Sequence, residues 1–179
     1  MALVYIASVT ASSSATVAFT SGIDSLYNEY QFHMVNMHPA NDNVHFQFQV
    51  NAAGASGFNE VMTTSVFESF HHEGTLGYSL EYYASTDQAQ GTAYQILSRA
   101  TGNDNDQAAS GILTLYDPSS TTYIKHFTSA MNGSYYNEYT MNDNVGGYIN
   151  VTAAIDEISF QFSSGNIDSG TIHMYGVSQ

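Results

Sequence analysis

The stretch Val44-His45-Phe46-Gln47-Phe48-Gln49-Val50 alternates apolar and polar side chains without interruption. Alternation with a period of two predicts a β-strand that has one buried face and one solvated face. The segments 30–34, 158–162 and 171–175 repeat the pattern, the last one less cleanly. We therefore predict a core that contains Phe32, Val44, Phe46, Phe48, Ile158, Phe160 and Phe162.

Weaker strand patterns occupy much of the remaining chain, at Leu3–Val9, Thr16–Phe19, Val61–Phe70, Gly77–Tyr83, Gly111–Tyr116, Thr122–Thr128 and Gly147–Val151. Turn-forming residues separate these segments. About 8–10 short strands of this kind predict an all-β fold, specifically an antiparallel β-sandwich of jelly-roll type that forms a single domain over residues 1–179. The region Ser85–Ala109 is ambiguous, because Thr92–Ala100 fits a short helix while its flanks resemble a long exposed loop.

Charge excludes several classes of partner. The 179 residues include 16 Asp and Glu but only two cations, Arg99 and Lys125, for a formal charge of −14. Two cations cannot form the basic surface that nucleic acids require, and anionic membranes are disfavoured for the same reason. The N-terminus lacks the basic residues of a signal peptide. The absence of cysteine excludes disulfide scaffolds, thiolate metal sites and cysteine nucleophiles.

Signatures of catalysis are missing from the chain. There is no G-x-S-x-G elbow, H-E-x-x-H motif or phosphate-binding loop, so we predict that the protein is not an enzyme and has no catalytic or cofactor-binding residues. His71 and His72 point to opposite faces of a predicted strand, which argues against a shared metal ion. Asn103–Asp106 offers oxygen ligands that suit calcium, although a solvated loop is the favoured interpretation.

Tyrosine clusters are the candidates for binding. The segment Tyr135-Tyr136-Asn137-Glu138-Tyr139 fits either a subunit interface or a sugar-binding platform. Edge strands need protection, and this chain has almost no lysine with which to provide it. We therefore expect either a homo-oligomer, in the simplest case a trimer, or tight attachment to a partner protein, with an interface that includes Tyr135, Tyr136, Tyr139, His71 and His72.

Three blocks, at Tyr27–Asn43, Gly111–Phe127 and Gly147–Gly176, together resemble a family of small virion proteins from marine tailed bacteriophages, including phages of cyanobacteria and other ocean bacteria. The likeness is strongest in the pattern Gly-x-x-x-x-Gly-Thr-Ile-x-Met-Tyr-Gly at Gly165–Gly176. The resemblance covers most of the chain, and its motifs are structural.

The resemblance implies a non-enzymatic component of the virion. One expectation is a capsid decoration (cement) protein that binds the major capsid protein on the outer head surface. The alternative is a tail fibre or adhesin subunit that contacts tail proteins and host polysaccharide. Either role places the protein on the outside of the virion after assembly in the host cytoplasm.

Overall fold

The fold consists of β-strands joined by turns and loops. A computed structural model describes residues 2–74 and 77–178, and these residues contain no helix. They form strands β1 Ala2–Ser14, β2 Val17–Phe19, β3 Glu29–Pro39, β4 Val44–Ala52, β5 Met62–His72, β6 Tyr78–Tyr82, β7 Ala89–Gly91, β8 Gln95–Thr101, β9 Ala109–Tyr116, β10 Lys125–Tyr135, β11 Tyr139–Ile149, β12 Ile155–Phe162 and β13 Ile167–Ser178.

All strand pairs are antiparallel, and they connect into one sheet that is nearly closed into a barrel. The path runs β1-β13-β3-β9-β10-β8-β4-β12-β2. At β10 the sheet branches, because β11 also pairs with β10, β5 pairs with β11, and β6 and β7 pair with β5. The prediction of an all-β, antiparallel fold is confirmed.

The described residues contain no helix with the length and apolar character needed to cross a bilayer.

The interior is filled by the side chains that the alternation identified. All seven predicted core residues are buried, and Phe32, Phe46, Phe48, Ile158 and Phe160 are completely so. Aromatic rings join strands that are not adjacent in the sheet: Phe32 contacts Phe160 at 5.8 Å between centroids, and Phe48 contacts Phe127 at 5.0 Å. The core prediction is confirmed.

A long hairpin organises one side of the molecule. β10 and β11 pair from Lys125 opposite Ile149 to Tyr135 opposite Tyr139, and β5 then pairs with the whole of β11. The sequence patterns at 122–128 and 147–151 captured only the open end of this hairpin. Ser129, Gly133 and Asp143 occupy buried, inward positions of the remaining part, so its apolar alternation is broken.

The ambiguous region Ser85–Ala109 contains a buried strand, so the short helix considered over Thr92–Ala100 is wrong. β8 occupies Gln95–Thr101 and pairs with β4, and Leu97 is completely buried. Tertiary packing overrides the local pattern here, because the strand buries polar Gln95 and Ser98 along with Leu97. The thirteen strands of the described residues also exceed the predicted 8–10.

Candidate functional site

Four of the five predicted interface residues lie together at one end of the β10–β11 hairpin. Tyr135 ends β10, Tyr139 begins β11, and Tyr139 pairs with His72 of β5. Ring centroids are 5.8 Å apart for Tyr135 and Tyr139, 4.6 Å for His72 and Tyr139, and 4.6 Å for Tyr135 and Tyr136. We call this cluster, together with neighbouring Phe70, the tyrosine end.

His71 lies apart from that cluster. Its side chain is exposed, and its ring stacks on Tyr78 of β6 at 5.8 Å between centroids. The imidazole Nδ1 lies 2.7 Å from the backbone oxygen of His72. Adjacent residues of a strand point to opposite faces, so the same geometry that places His72 against Tyr139 turns His71 away.

The tyrosine end contains an open pocket of about 250 Å³. Its lining residues are Phe70, Arg99, Tyr135, Asn137, Tyr139 and Met141. The pocket thus combines aromatic rings, one exposed amide and one guanidinium. Such a combination suits a ligand that offers both a stacking surface and hydroxyl groups.

Arg99 is held firmly at the base of this pocket. Its Nε and Nη2 donate to the two carboxylate oxygens of Glu68 at 2.9 and 2.7 Å. The guanidinium lies 4.1 Å from the ring centroid of Tyr83 and 5.3 Å from that of Tyr135. Burial alone would lower the pKa of Arg99, but hydrogen bonding and attraction to Glu68 outweigh that effect and raise it. A bidentate pair of this kind fixes the guanidinium plane.

A second carboxylate lies beside that pair. Burial, with the nearby negative charge of Glu68, raises the pKa of Asp143 to about 7, despite a 3.1 Å hydrogen bond that Asp143 accepts from the backbone N–H of Arg99. Next to Arg99 on β8, the backbone N–H of Ala100 donates to Nδ1 of His45 on β4 at 2.9 Å. Burial and the charge of Arg99 lower the pKa of His45, so the imidazole is neutral at pH 7.

Lys125, the other cation, is completely buried at the start of β10. Its ammonium donates to the backbone oxygens of Tyr123, Val151, Thr152 and Ala153 at 3.1, 3.2, 2.9 and 2.6 Å. Burial lowers the pKa of this group, while Asp117 opposes the effect. Lys125 therefore ties two loops together and contributes nothing to the surface.

Apart from Glu29 at its border, the outer face of five neighbouring strands carries no charged side chain. Strand register places on it Gln31, His33 and Val35 of β3, Ser110, Ile112 and Thr114 of β9, Thr128, Ala130 and Asn132 of β10, Asn142, Asn144 and Gly146 of β11, and Ser65, Phe67 and Ser69 of β5. The charged residues of these strands are Glu68, Lys125 and Asp143, which point inward, and Glu29 at the border. We call this surface the uncharged face.

A groove of about 410 Å³ crosses the uncharged face. Phe67 and Ile112 stand on its two sides, 49% and 39% exposed. Ala130 and Gly146 contribute to its floor, and the space above the Gly146 Cα is open. The groove therefore offers apolar contact within a surface that otherwise presents hydroxyl and amide groups.

The segment considered for calcium forms the loop between β8 and β9. Asp104, Asn105 and Asp106 are exposed, while the N–H of Asn103 donates to Asp42 at 3.3 Å and its side-chain amide donates to the oxygen of Ala40. Residues 2–74 and 77–178 contain no cluster of three or more His, Asp or Glu side chains that could hold a metal ion. Calcium binding at this loop stays a prediction.

The sequence interpretation missed the buried charges. Glu68 stands two residues after Val66 and two before Phe70, and Asp143 stands midway between Met141 and Val145. Each acid thus occupies an inward position of an alternating strand, which is a recognisable signal once the alternation is followed to the hairpin tip.

No protein-family model, curated protein or solved structure matches this chain.

Proposed function

We propose that this chain is a non-enzymatic structural protein of a bacteriophage particle, specifically a capsid decoration protein that binds the major capsid protein on the outer head surface. The uncharged face is the observation that carries the proposal. The whole chain has a formal charge of −14, yet apart from Glu29 at the border, five adjacent strands present no charged side chain on this face. Depletion of charge is a characteristic of the central part of protein interfaces.

The chemistry of the face supports broad contact with another protein. Phe67 and Ile112 supply apolar anchors, and the surrounding Asn, Ser and Thr side chains supply hydrogen bonds. The acidic side chains lie elsewhere, mainly in loops, where they keep neighbouring particles apart by repulsion. A strand-based platform also holds these side chains rigidly, which lowers the entropic cost of binding.

The proposal includes a finer description of the fold, in which the nearly closed sheet is flattened into two layers of jelly-roll type. The contacts of Phe32 with Phe160 and of Phe48 with Phe127 support it, because they join β3 to β12 and β10 to β4 across the interior. An experimental structure of the chain on its particle would test the layer arrangement and the docking face together.

A charge introduced at the centre of the face tests the docking role. Asn144 lies on the uncharged face and Asn59 lies in an exposed loop. Asn144→Asp and Asn59→Asp make the same chemical change at these two places. We expect Asn144→Asp to weaken binding to purified heads that lack DNA and tails, while Asn59→Asp binds like the unmodified chain. Equal binding by both variants, or no binding of the unmodified chain to heads, would contradict the proposal.

A tail fibre or adhesin subunit is the second candidate, and the pocket at the tyrosine end favours it. Tyr135, Tyr139 and Asn137 provide the rings and amide that bind a sugar, and Arg99 is fixed beside them. Asn137→Ala should then abolish binding to host polysaccharide and reduce adsorption of the particle, with no effect on head binding. Retention of polysaccharide binding in this variant, or its absence in the unmodified chain, would remove the second candidate.

A further inference from the structure

Strand β6 is a free edge of the sheet. It pairs with β5 along one side, and no strand of the described residues pairs with its other side. Its alternate side chains are among the most exposed apolar groups of the protein, with Tyr78 at 79%, Leu80 at 72% and Tyr82 at 60%. An exposed apolar edge of this kind readily pairs with a further strand.

The hydrogen-bonding groups of β6 can be assigned from its neighbours. The N–H of Tyr83 donates to the oxygen of Val66 at 2.9 Å, and the N–H of His72 donates to the oxygen of Gly77 at 3.0 Å. Inward and outward groups alternate along an antiparallel strand, so Ser79 and Glu81 also bond to β5. The backbone N–H and C=O groups of Tyr78, Leu80 and Tyr82 consequently point to the free edge.

The sequence of β6, Tyr78-Ser79-Leu80-Glu81-Tyr82, is nearly symmetric about Leu80. In an antiparallel pair of two copies centred on Leu80, each Tyr78 lies opposite Tyr82 of the second copy and the two Leu80 side chains meet. Glu81 lies opposite Ser79 of the second copy and not opposite another carboxylate. The three outward-pointing residues of each copy then exchange backbone hydrogen bonds with those of the other.

Other registers are less favourable. Moving the centre to Glu81 places the two carboxylates directly opposite each other, which is destabilising in a strand pair. Moving it to Ser79 pairs Tyr78 with Leu80 and places Tyr82 opposite a position that precedes β6 in the second copy. Only the register centred on Leu80 uses all three exposed apolar side chains and separates the charges.

We propose that two copies of this chain associate through β6 in an antiparallel, two-fold symmetric contact centred on Leu80. The two sheets then become continuous, because a two-fold axis perpendicular to the sheet keeps equivalent faces on the same side. Tyr82, Leu80 and Tyr78 lie beside Phe67, Ser69 and His71 of β5, so the contact joins the uncharged faces of both copies. The contact does not depend on the proposed role in a virion.

A pair of matched leucines allows a direct test. Leu26, in the loop before β3, is 71% exposed and therefore serves as the control for Leu80. We expect the unmodified chain to give twice the 19.4 kDa monomer mass in light scattering as its concentration rises to about 1 mM. Leu80→Lys should stay monomeric because two ammonium groups would meet at the axis, whereas Leu26→Lys should dimerise normally.

Cross-linking identifies the register. The chain contains no cysteine, so a single introduced thiol is unique. Directly opposed residues of an antiparallel pair have Cα atoms about 5.5 Å apart, within the range that a disulfide spans. Leu80→Cys should therefore form a disulfide-linked dimer under mild oxidation, and Leu26→Cys should not. A monomer at all concentrations, a trimer, a dimer that persists in Leu80→Lys, or equal cross-linking of the two cysteine variants would overturn the proposal.

Discussion

Glu68 and Asp143 lie directly opposite each other in the neighbouring strands β5 and β11, and both carboxylates point into the interior. Arg99 satisfies Glu68 with two hydrogen bonds, but it reaches Asp143 only through its backbone N–H. The guanidinium therefore hydrogen-bonds only one of the two buried acids. Burial, together with the negative charge of Glu68, raises the pKa of Asp143 to about 7.

Asp143 makes the stability of the fold depend on pH. Its folded-state pKa of about 7 exceeds the unfolded value near 4, so the folded chain binds more protons between these pH values. Stability consequently falls as pH rises from about 4 to about 7, and the loss is complete above that range. Asp143→Asn keeps an oxygen acceptor for the Arg99 N–H. It should therefore raise the unfolding free energy at pH 8 by up to about 4 kcal/mol.

Urea denaturation at pH 5 and pH 8 measures this effect, with Asp106→Asn as the control at an exposed carboxylate. The Asp143→Asn variant should lose the fall in stability between pH 5 and pH 8, and the control should retain it. A variant that is less stable than the unmodified chain at pH 8 would refute the assignment of a costly buried charge to Asp143.

His33 gives a second, opposite dependence on pH. Burial lowers the pKa of His33 below 6.5, and its cross-strand neighbour His173 lowers it further. Stability from this source is present above pH 6.5 and is lost as pH falls toward the folded-state pKa. In NMR titrations, His173→Gln should move the pKa of His33 upward but leave it below 6.5, because burial persists. His126→Gln, at an exposed position, should not change it; an unchanged His33 pKa in His173→Gln would contradict the coupling.

Lys125 should be essential for the loops that it joins. Lys125→Met retains most of the aliphatic stem but leaves the carbonyl groups of Tyr123, Val151, Thr152 and Ala153 without their donor. Buried acceptors without partners are costly, so we expect a loss of about 2–4 kcal/mol in unfolding free energy. Hydrogen exchange should also accelerate at residues 150–154. Unchanged stability and exchange would mean that water replaces the ammonium without cost.

Phe160 tests the core. Its ring is completely buried against Phe32, Phe46 and Phe48, so Phe160→Glu would place an unpaired charge in the interior at a cost of several kcal/mol. We expect this variant to be insoluble or unfolded by circular dichroism. Phe67→Glu, at a position that is 49% exposed, should remain folded and soluble. A soluble, monodisperse Phe160→Glu protein would disprove the assigned packing.

The sequence predicted the class of the fold well where alternation was regular. β4 and β12 were found because every second residue from Val44 to Val50 and from Ile158 to Phe162 is apolar, and these residues are buried as expected. β8 was not found, because its buried positions include the polar residues Gln95 and Ser98, and the Gln95 side chain depends on partners outside β8. Thr64, for example, donates to the side-chain oxygen of Gln95 at 2.8 Å.

The candidate site was predictable only in part. The cluster Tyr135–Tyr139 is visible as a local composition, and its position at a hairpin tip places those tyrosines together. The contact between His72 and Tyr139 depends on the register of β5 against β11, because these residues are 67 positions apart in the sequence. Glu68, Arg99 and Asp143 likewise lie on three separate strands, β5, β8 and β11. No local sequence pattern predicts that these three side chains come together.

The sequence by itself determined an all-β chain, the residues of its core and a strongly acidic balance, because alternation and composition are local properties that act through burial and charge. Only the tertiary structure decided where the charges lie. Strand pairing turns Lys125, Glu68 and Asp143 inward and leaves Glu29, at the border, as the one charged residue on the outer faces of these five strands. Since a shift of one residue in register exchanges the two faces of a strand, that surface depends on how all five strands align.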